Sequence, residues 1–175
     1  MYYKSIYPSP LGQIAIVSDD KTIKGVWFAD QKHFGSQYDM QTMTAAETPV
    51  IKKVKNWLDA YFAGENPTLD PTILAPEVTP YRKQILNTLI HVPYGQTTSY
   101  KELADQVALN APGKRSSARA AGGAVGHNPI SILIPCHRVV ATNGALTGYA
   151  GGIDRKIALL ALEGFDQSKL ANYQG

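Results

Sequence analysis

The sequence predicts two joined lobes: an α/β lobe of a small antiparallel sheet plus one helix over residues 1–76, then a mainly α lobe over 77–175. Three observations predict this. Apolar and polar residues alternate through the first thirty positions. Two Thr-Pro pairs each open a segment of helical period. A proline-rich stretch, 66–76, lies between those segments as a linker.

In chain order, Tyr3–Ile6, Gln13–Val17 and Ile23–Phe28 read as strands, separated by Pro-Ser-Pro-Leu-Gly and by Asp19-Asp20. Residues 30–47 show no period and read as a loop. Thr48-Pro49 supplies an N-cap and a first-turn proline for a helix that Gly64 closes, with Val50, Ile51, Val54, Trp57, Leu58, Tyr61 and Phe62 on one face. Thr79-Pro80 repeats that signal for a helix to about His91. Ser99 and Glu102 form a capping box for a helix through Leu109, which Asn110–Gly113 breaks. A further helix is expected from about Ser116 to Val125, so helix, four-residue turn and helix have the spacing of a helix-turn-helix. An apolar strand at 130–134 then leads into Pro135, and Asp154 is expected to cap a last helix ending near Glu163-Gly164.

With 175 residues, 44% hydrophobic and 18% charged, the chain has the composition of an ordinary globular protein. Its single cysteine, Cys136, excludes an internal disulfide and a multi-thiolate zinc site. No segment has signal-peptide character or membrane-spanning length, which predicts a soluble cytoplasmic protein. A net charge of +3 is mild, but its placement is not: no carboxylate stands between Asp105 and Asp154, where Lys114, Arg115, Arg119 and Arg138 all fall. That pattern points to an anionic partner or to a neutral, buried stretch.

Two features carry chemistry. Cys136, beside His137, is either a small packed hydrophobe or a nucleophile with a neighbouring base. The run Ser117-Ala118-Arg119-Ala120-Ala121-Gly122-Gly123-Ala124 has almost no side-chain bulk, although each glycine costs a helix about 1 kcal/mol. Such a helix either packs closely against another element or is thin enough to enter a narrow groove, with Arg119 reaching beyond it.

Pro135-Cys136-His137-Arg138-Val139-Val140 resembles the active-site signature of the O6-alkylguanine-DNA alkyltransferases. It stands in order with Ser99-Tyr100, Arg119–Ala124, Gly126-His127-Asn128-Pro129, Gly148–Gly152 and Leu162-Glu163-Gly164, so the likeness spans about residues 79–165. The resemblance implies an RNase-H-like first lobe and a winged-helix-like second lobe. It also implies irreversible transfer of an alkyl group from O6-alkylguanine, or from O4-alkylthymine, to Cys136, without cofactor or metal.

By that resemblance His137 is the base, acting through a water, and Glu163 orients it. Tyr100 donates to the departing base, and Asn128 braces the cysteine loop. Val139, Tyr149, Ala150 and Ser131 shape the base pocket. Arg119 replaces a flipped base, while Lys101, Lys114, Arg115, Ser117, Ala118 and Gly122 meet DNA through the minor groove. The expected partner is alkylated double-stranded DNA, met by a monomer. Two other readings stay open: a thiol hydrolase or acyltransferase using Cys136, His137 and Glu163, and a non-catalytic lesion-binding protein.

Overall fold

A computed structural model of the chain describes residues 1–113 and 115–170. They divide into two compact units: Met1–Glu77 together with Pro129–Ser131, and Val78–Asn128 together with Ile132 onward.

In the first unit, β1 (Tyr3–Ser9), β2 (Gly12–Ser18) and β3 (Ile23–Phe28) form the expected meander, with Tyr3 opposite Ser18 and Ile14 opposite Phe28. The loop expected at 30–47 also holds a short strand, β4 (Thr44–Ala45), which adds in parallel to β1 and gives the order β3-β2-β1-β4. β2 is central, and its residues from Ile14 to Ser18 are all buried, so its own alternation of faces is not one of core and solvent. Helix α1 (Pro49–Phe62) is capped by the Thr48 hydroxyl and buries Val50, Ile51, Val54, Leu58 and Tyr61. Tyr7 ties it to the sheet by donating to Asp59 Oδ1 over 2.7 Å.

The proline-rich stretch is not a free linker. Trp57 Nε1 donates to the Pro67 carbonyl, Leu74 bridges Ile23, and the Ala75 amide donates to the Ile23 carbonyl, so the stretch lines the β3 edge. Pro129–Ser131 returns to the same strand: the Val26 amide donates to the Pro129 carbonyl, and the Ser131 amide to the Val26 carbonyl.

The apolar run after Pro129 is therefore not the strand its sequence suggests. Ile130 makes one isolated bridge to Val26, and the chain then turns at Ile132, whose φ is +70°. A β-branched residue is strained there, and burial on all sides holds it. An apolar run reports burial, which a turn under full cover meets as well as a strand does.

In the second unit, α2 (Pro80–Leu89), α3 (Tyr100–Asn110) and α4 (Ala118–Gly126) pack mutually around Ile85, Leu86, Leu89, Leu103, Val107, Ala121 and Ala124. The connection from α3 to α4 is longer than the four residues expected. Ser116 does not start the helix, because its hydroxyl bonds the Ala104 carbonyl and Tyr81; Ser117 caps α4 instead. Just before α3, β5 (Thr98–Ser99) pairs in parallel with β6 (Val139–Val140). Helix α5 (Ile153–Leu162) begins after Gly152, at φ +97°, so Asp154 is a first-turn acid rather than the cap. Val140, Leu160 and Leu170 form a second core with Leu146 and Phe165.

Gly25 makes room for an indole: a Cβ there would lie 1.8 Å from Trp27 Cη2. Gly25→Ala should cost about 1–3 kcal/mol as the buried Trp27 is displaced. Urea unfolding followed by tryptophan fluorescence measures it, and an unchanged midpoint would contradict this packing.

Candidate active site

The cysteine loop is shaped by local backbone chemistry. Pro135, at φ −80° and ψ 65°, is the centre of an inverse γ-turn closed by the Cys136 amide on the Ile134 carbonyl at 2.8 Å. A 3₁₀ turn, Cys136–Arg138, follows, so Cys136 and His137 are not strand neighbours on opposite faces. Asn128, just after α4, donates from Nδ2 to the same Ile134 carbonyl at 2.9 Å. Its amide thus joins the end of α4 to the loop that carries the thiol.

Glu163, following α5, is the hub. It accepts from His137 Nε2 at 2.6 Å, Arg138 Nε at 2.8 Å, Arg138 Nη2 at 2.9 Å and the Gly95 amide at 3.0 Å. Burial alone would raise its pKa, but hydrogen bonds and charge from His137 and Arg138 override that and hold it far below the usual carboxylate range. An ionised carboxylate only accepts, so His137 Nε2 carries the proton shared with it. Nδ1 is then the basic nitrogen, and among the described residues it has no hydrogen-bond partner. Burial pushes the imidazole pKa below its ordinary value, only partly opposed by Glu163, which keeps the ring neutral at neutral pH.

The Cys136 thiol is buried, and burial raises its pKa. Asn128, the charge of Lys156, Tyr149 and the residue's own backbone amide oppose that rise. The resting sulfur is a thiol that needs a base and has stabilising groups waiting for its anion.

Other anticipated residues are distributed as follows. Tyr100 opens α3, half-buried, with its hydroxyl 2.5 Å from Thr147 Oγ1. Val139 is fully buried, and its amide donates to the Cys136 carbonyl. Ala150 is half-buried. On α4, Ala118 and Arg119 are exposed, and Ala121, Ala124 and Val125 form the buried face. A Cβ on Gly122 would sit 3.8 Å from the Tyr100 ring, and one on Gly123 would meet nothing within 4 Å. Internal packing does not demand these glycines. Arg115 is exposed, Lys101 is exposed and paired with Asp105 at 2.7 Å, and Lys114 lies outside the described residues.

Ser131, expected in the base pocket, is buried, with its hydroxyl donating to Gln31 Oε1 at 3.2 Å and its amide to the Val26 carbonyl. The charge pattern reads differently at one position. Arg138 is not part of a basic surface: it is buried, clamps Glu163 and donates from Nη1 to the Val92 carbonyl at 2.8 Å.

Comparison with known proteins bears on this arrangement. Residues 80–165 match the model for the DNA-binding domain of 6-O-methylguanine DNA methyltransferase, and residues 1–76 that for its ribonuclease-like domain. The chain belongs to the 6-O-methylguanine DNA methyltransferase family. It is 40% identical to the methylated-DNA–protein-cysteine methyltransferase of Methanosarcina acetivorans, over 94% of this chain and 99% of that protein. Against the Haemophilus influenzae protein of the same name it is 38% identical, over 92% and 86%. The crystal structure of Mycobacterium tuberculosis OGT in complex with DNA is similar at 36% identity and a TM-score of 0.76, covering 98% and 95% of the two chains.

Within this site, sequence reasoning missed Lys156 and Thr147. Lys156 reads as one more polar residue of a helix, yet it is 1% exposed and burial lowers its pKa to about 8. No sequence signal marks it, because Asp154 and Arg155 precede it in the same helix, Ile153–Leu162, and the three read together as a solvated first turn.

His137 and Glu163 both sit below their ordinary pKa values in the folded chain. Each therefore adds stability that is complete above its unfolded pKa, about 6.5 and 4.3, and is lost as pH falls through and below that value. Urea midpoints between pH 8 and 3 should fall in two limbs. Glu163→Gln should make the lower limb shallower, leaving the part due to other carboxylates held low such as Asp19 and Glu77, and cost about 3 kcal/mol at pH 7 by leaving Arg138 buried and unpaired. A variant whose midpoints parallel the parent at every pH would contradict the assignment.

Proposed function

We propose that this chain repairs DNA by moving the alkyl group of O6-alkylguanine onto Cys136, once per molecule. The observation that carries the mechanism is the ordered set of Glu163, His137 and the Cys136 turn. A carboxylate fixes the imidazole tautomer, and a neutral Nδ1 is left to take the thiol proton, through a water in contact with both. The Sγ–C bond forms as the C–O6 bond breaks, and the bonding pair stays with guanine. Tyr100, next to the thiol's electrostatic field, supplies a proton to that departing base. The product is a thioether and an intact guanine. A thioether resists hydrolysis, so no step regenerates the thiol.

A guanine inside a duplex must be extruded before a buried thiol can meet it. The exposed face of α4 suits that extrusion. Ala118 and Gly122 keep the helix thin, Ser117 caps it, and Arg119 is long enough to fill the vacated place in the stack. We assign this helix to the minor groove. Arg115, Lys101 and Lys114 contribute phosphate contacts, Lys101 the least because Asp105 already partners it. Tyr149 and Ala150 border the base. O4-alkylthymine remains the second candidate substrate. We assign this reaction to a monomer. No helix among the described residues is long and apolar enough to cross a membrane, in keeping with a cytoplasmic repair protein.

Incubation with duplex DNA carrying O6-methylguanine, followed by intact mass measurement, should add one CH₂ to Cys136 and saturate at one event per chain. Cys136→Ser should add none. Continued turnover would indicate a thiol hydrolase or acyltransferase, and DNA binding without any adduct a lesion-recognition protein.

Arg119→Ala should slow repair in duplex by about tenfold or more, because the extruded state loses its stand-in, and leave reaction with free O6-methylguanine base unchanged. Equal loss on both substrates would remove Arg119 from the extrusion step.

A further inference from the structure

Lys156 projects from α5 into the second unit's interior, 1% exposed, and no carboxylate lies within ion-pair distance of it among the described residues. Lysine is almost never buried this fully without a partner of opposite charge. Its Nζ instead donates to one residue, reaching Thr147 Oγ1 at 3.2 Å and the Thr147 carbonyl at 3.4 Å. Thr147 Oγ1 in turn lies 2.5 Å from the Tyr100 hydroxyl.

Donor and acceptor counting gives this chain a direction. An ammonium has donors only, so Thr147 Oγ1 accepts from Lys156. The one hydrogen of that hydroxyl is then free to reach the phenol oxygen of Tyr100. If Tyr100 accepts it, the phenol's own hydrogen points away from Thr147. We propose that Thr147 is a positioning residue for alkyl transfer, taking a hydrogen bond from Lys156 and giving one to Tyr100 so that the phenol proton is presented to the departing guanine.

This rests on Tyr100 being the leaving-group donor, as assigned above. As the phenol proton moves to the guanine that keeps the C–O6 bonding pair, negative charge grows on the Tyr100 oxygen. The Thr147 O–H stabilises that charge directly, and the Lys156 ammonium does so one hydrogen bond further on. The phenolate then regains a proton from solvent, and His137 releases the one it took from the thiol, so the exchange balances. Burial alone makes the phenol a poorer acid, and the Thr147 hydrogen bond works against that.

Thr147→Val keeps the shape of the side chain and removes the hydroxyl. Single-turnover transfer from an O6-methylguanine duplex should slow by about tenfold, a part of the 10² or more that a positioned proton donor supplies. Thr147→Ser should restore the rate to within about twofold, since it returns the hydroxyl. Alkylation of Cys136 by iodoacetamide, which needs no protonated guanine, should fall by no more than about twofold in Thr147→Val, since the Lys156 charge that favours the thiolate is kept and only one of its hydrogen bonds is lost. In a Tyr100→Phe background, which should itself be slower by about a hundredfold, adding Thr147→Val should cost nothing more.

Three results would overturn the relay: a normal rate for Thr147→Val, a parallel loss of iodoacetamide reactivity, or an equal loss in the Tyr100→Phe background. A normal rate for Tyr100→Phe would instead overturn the underlying assignment of the donor.

Discussion

The Glu163 carboxylate is the interaction on which the second unit's chemistry depends. Four donors converge on its two oxygens from three residues: the loop amide at Gly95, His137 and Arg138. Full satisfaction is what makes a buried anion tolerable, since charges buried without hydrogen bonds cost several kcal/mol each. Gly95 serves this directly. Its φ of +75° suits glycine, and a Cβ would lie 3.0 Å from the Glu163 carbonyl. Arg138 balances the charge, so the site does not rely on a protonated histidine for neutrality. That frees His137 to remain a base.

The position of the thiol follows from a second constraint. Pro135 forces the γ-turn, and the Ile134 carbonyl accepts from both the Cys136 amide and Asn128 Nδ2. Because Asn128 closely follows α4, the helix proposed to meet DNA and the loop bearing the nucleophile are tied at one acceptor atom. Tyr100 adds a second link, since its ring lies beside Gly122 of α4 and its hydroxyl beside Thr147. Recognition and chemistry are thus joined by side chains that belong to both.

Much of this was legible in the sequence, for identifiable reasons. Thr48-Pro49, Thr79-Pro80 and Ser99 announce helices because their hydroxyls satisfy orphan amides, a local effect that needs no tertiary knowledge. The run at 130–134 misled because burial, which it does report, is compatible with a strained turn at Ile132. The charge pattern misled at Arg138 because its counter-ion is 25 residues away, and no window of composition reveals such a pair. Lys156 and Thr147 were invisible for a related reason: a lysine on a helix is ordinarily solvated, and only three-dimensional packing removes that option.

The ionisation pattern also accounts for a thiol held ready but not consumed. In the resting chain the sulfur is protonated and His137 is neutral, because burial disfavours the charged form of each. Moving one proton from sulfur to Nδ1 creates a thiolate and an imidazolium together. Each then finds stabilising groups already in place: Asn128, Lys156 and Tyr149 for the sulfur, Glu163 for the ring. Arg138 limits that gain, since its charge opposes the imidazolium. The result is a proton transfer that is unfavourable at rest and is drawn forward by an electrophile. For a protein that can use its cysteine once, a permanently ionised thiolate would be a liability, exposed to any alkylating agent or oxidant that reached it. Burial with compensation at both ends of the transfer gives the opposite behaviour: nucleophilicity that is realised when the alkylated base is in place.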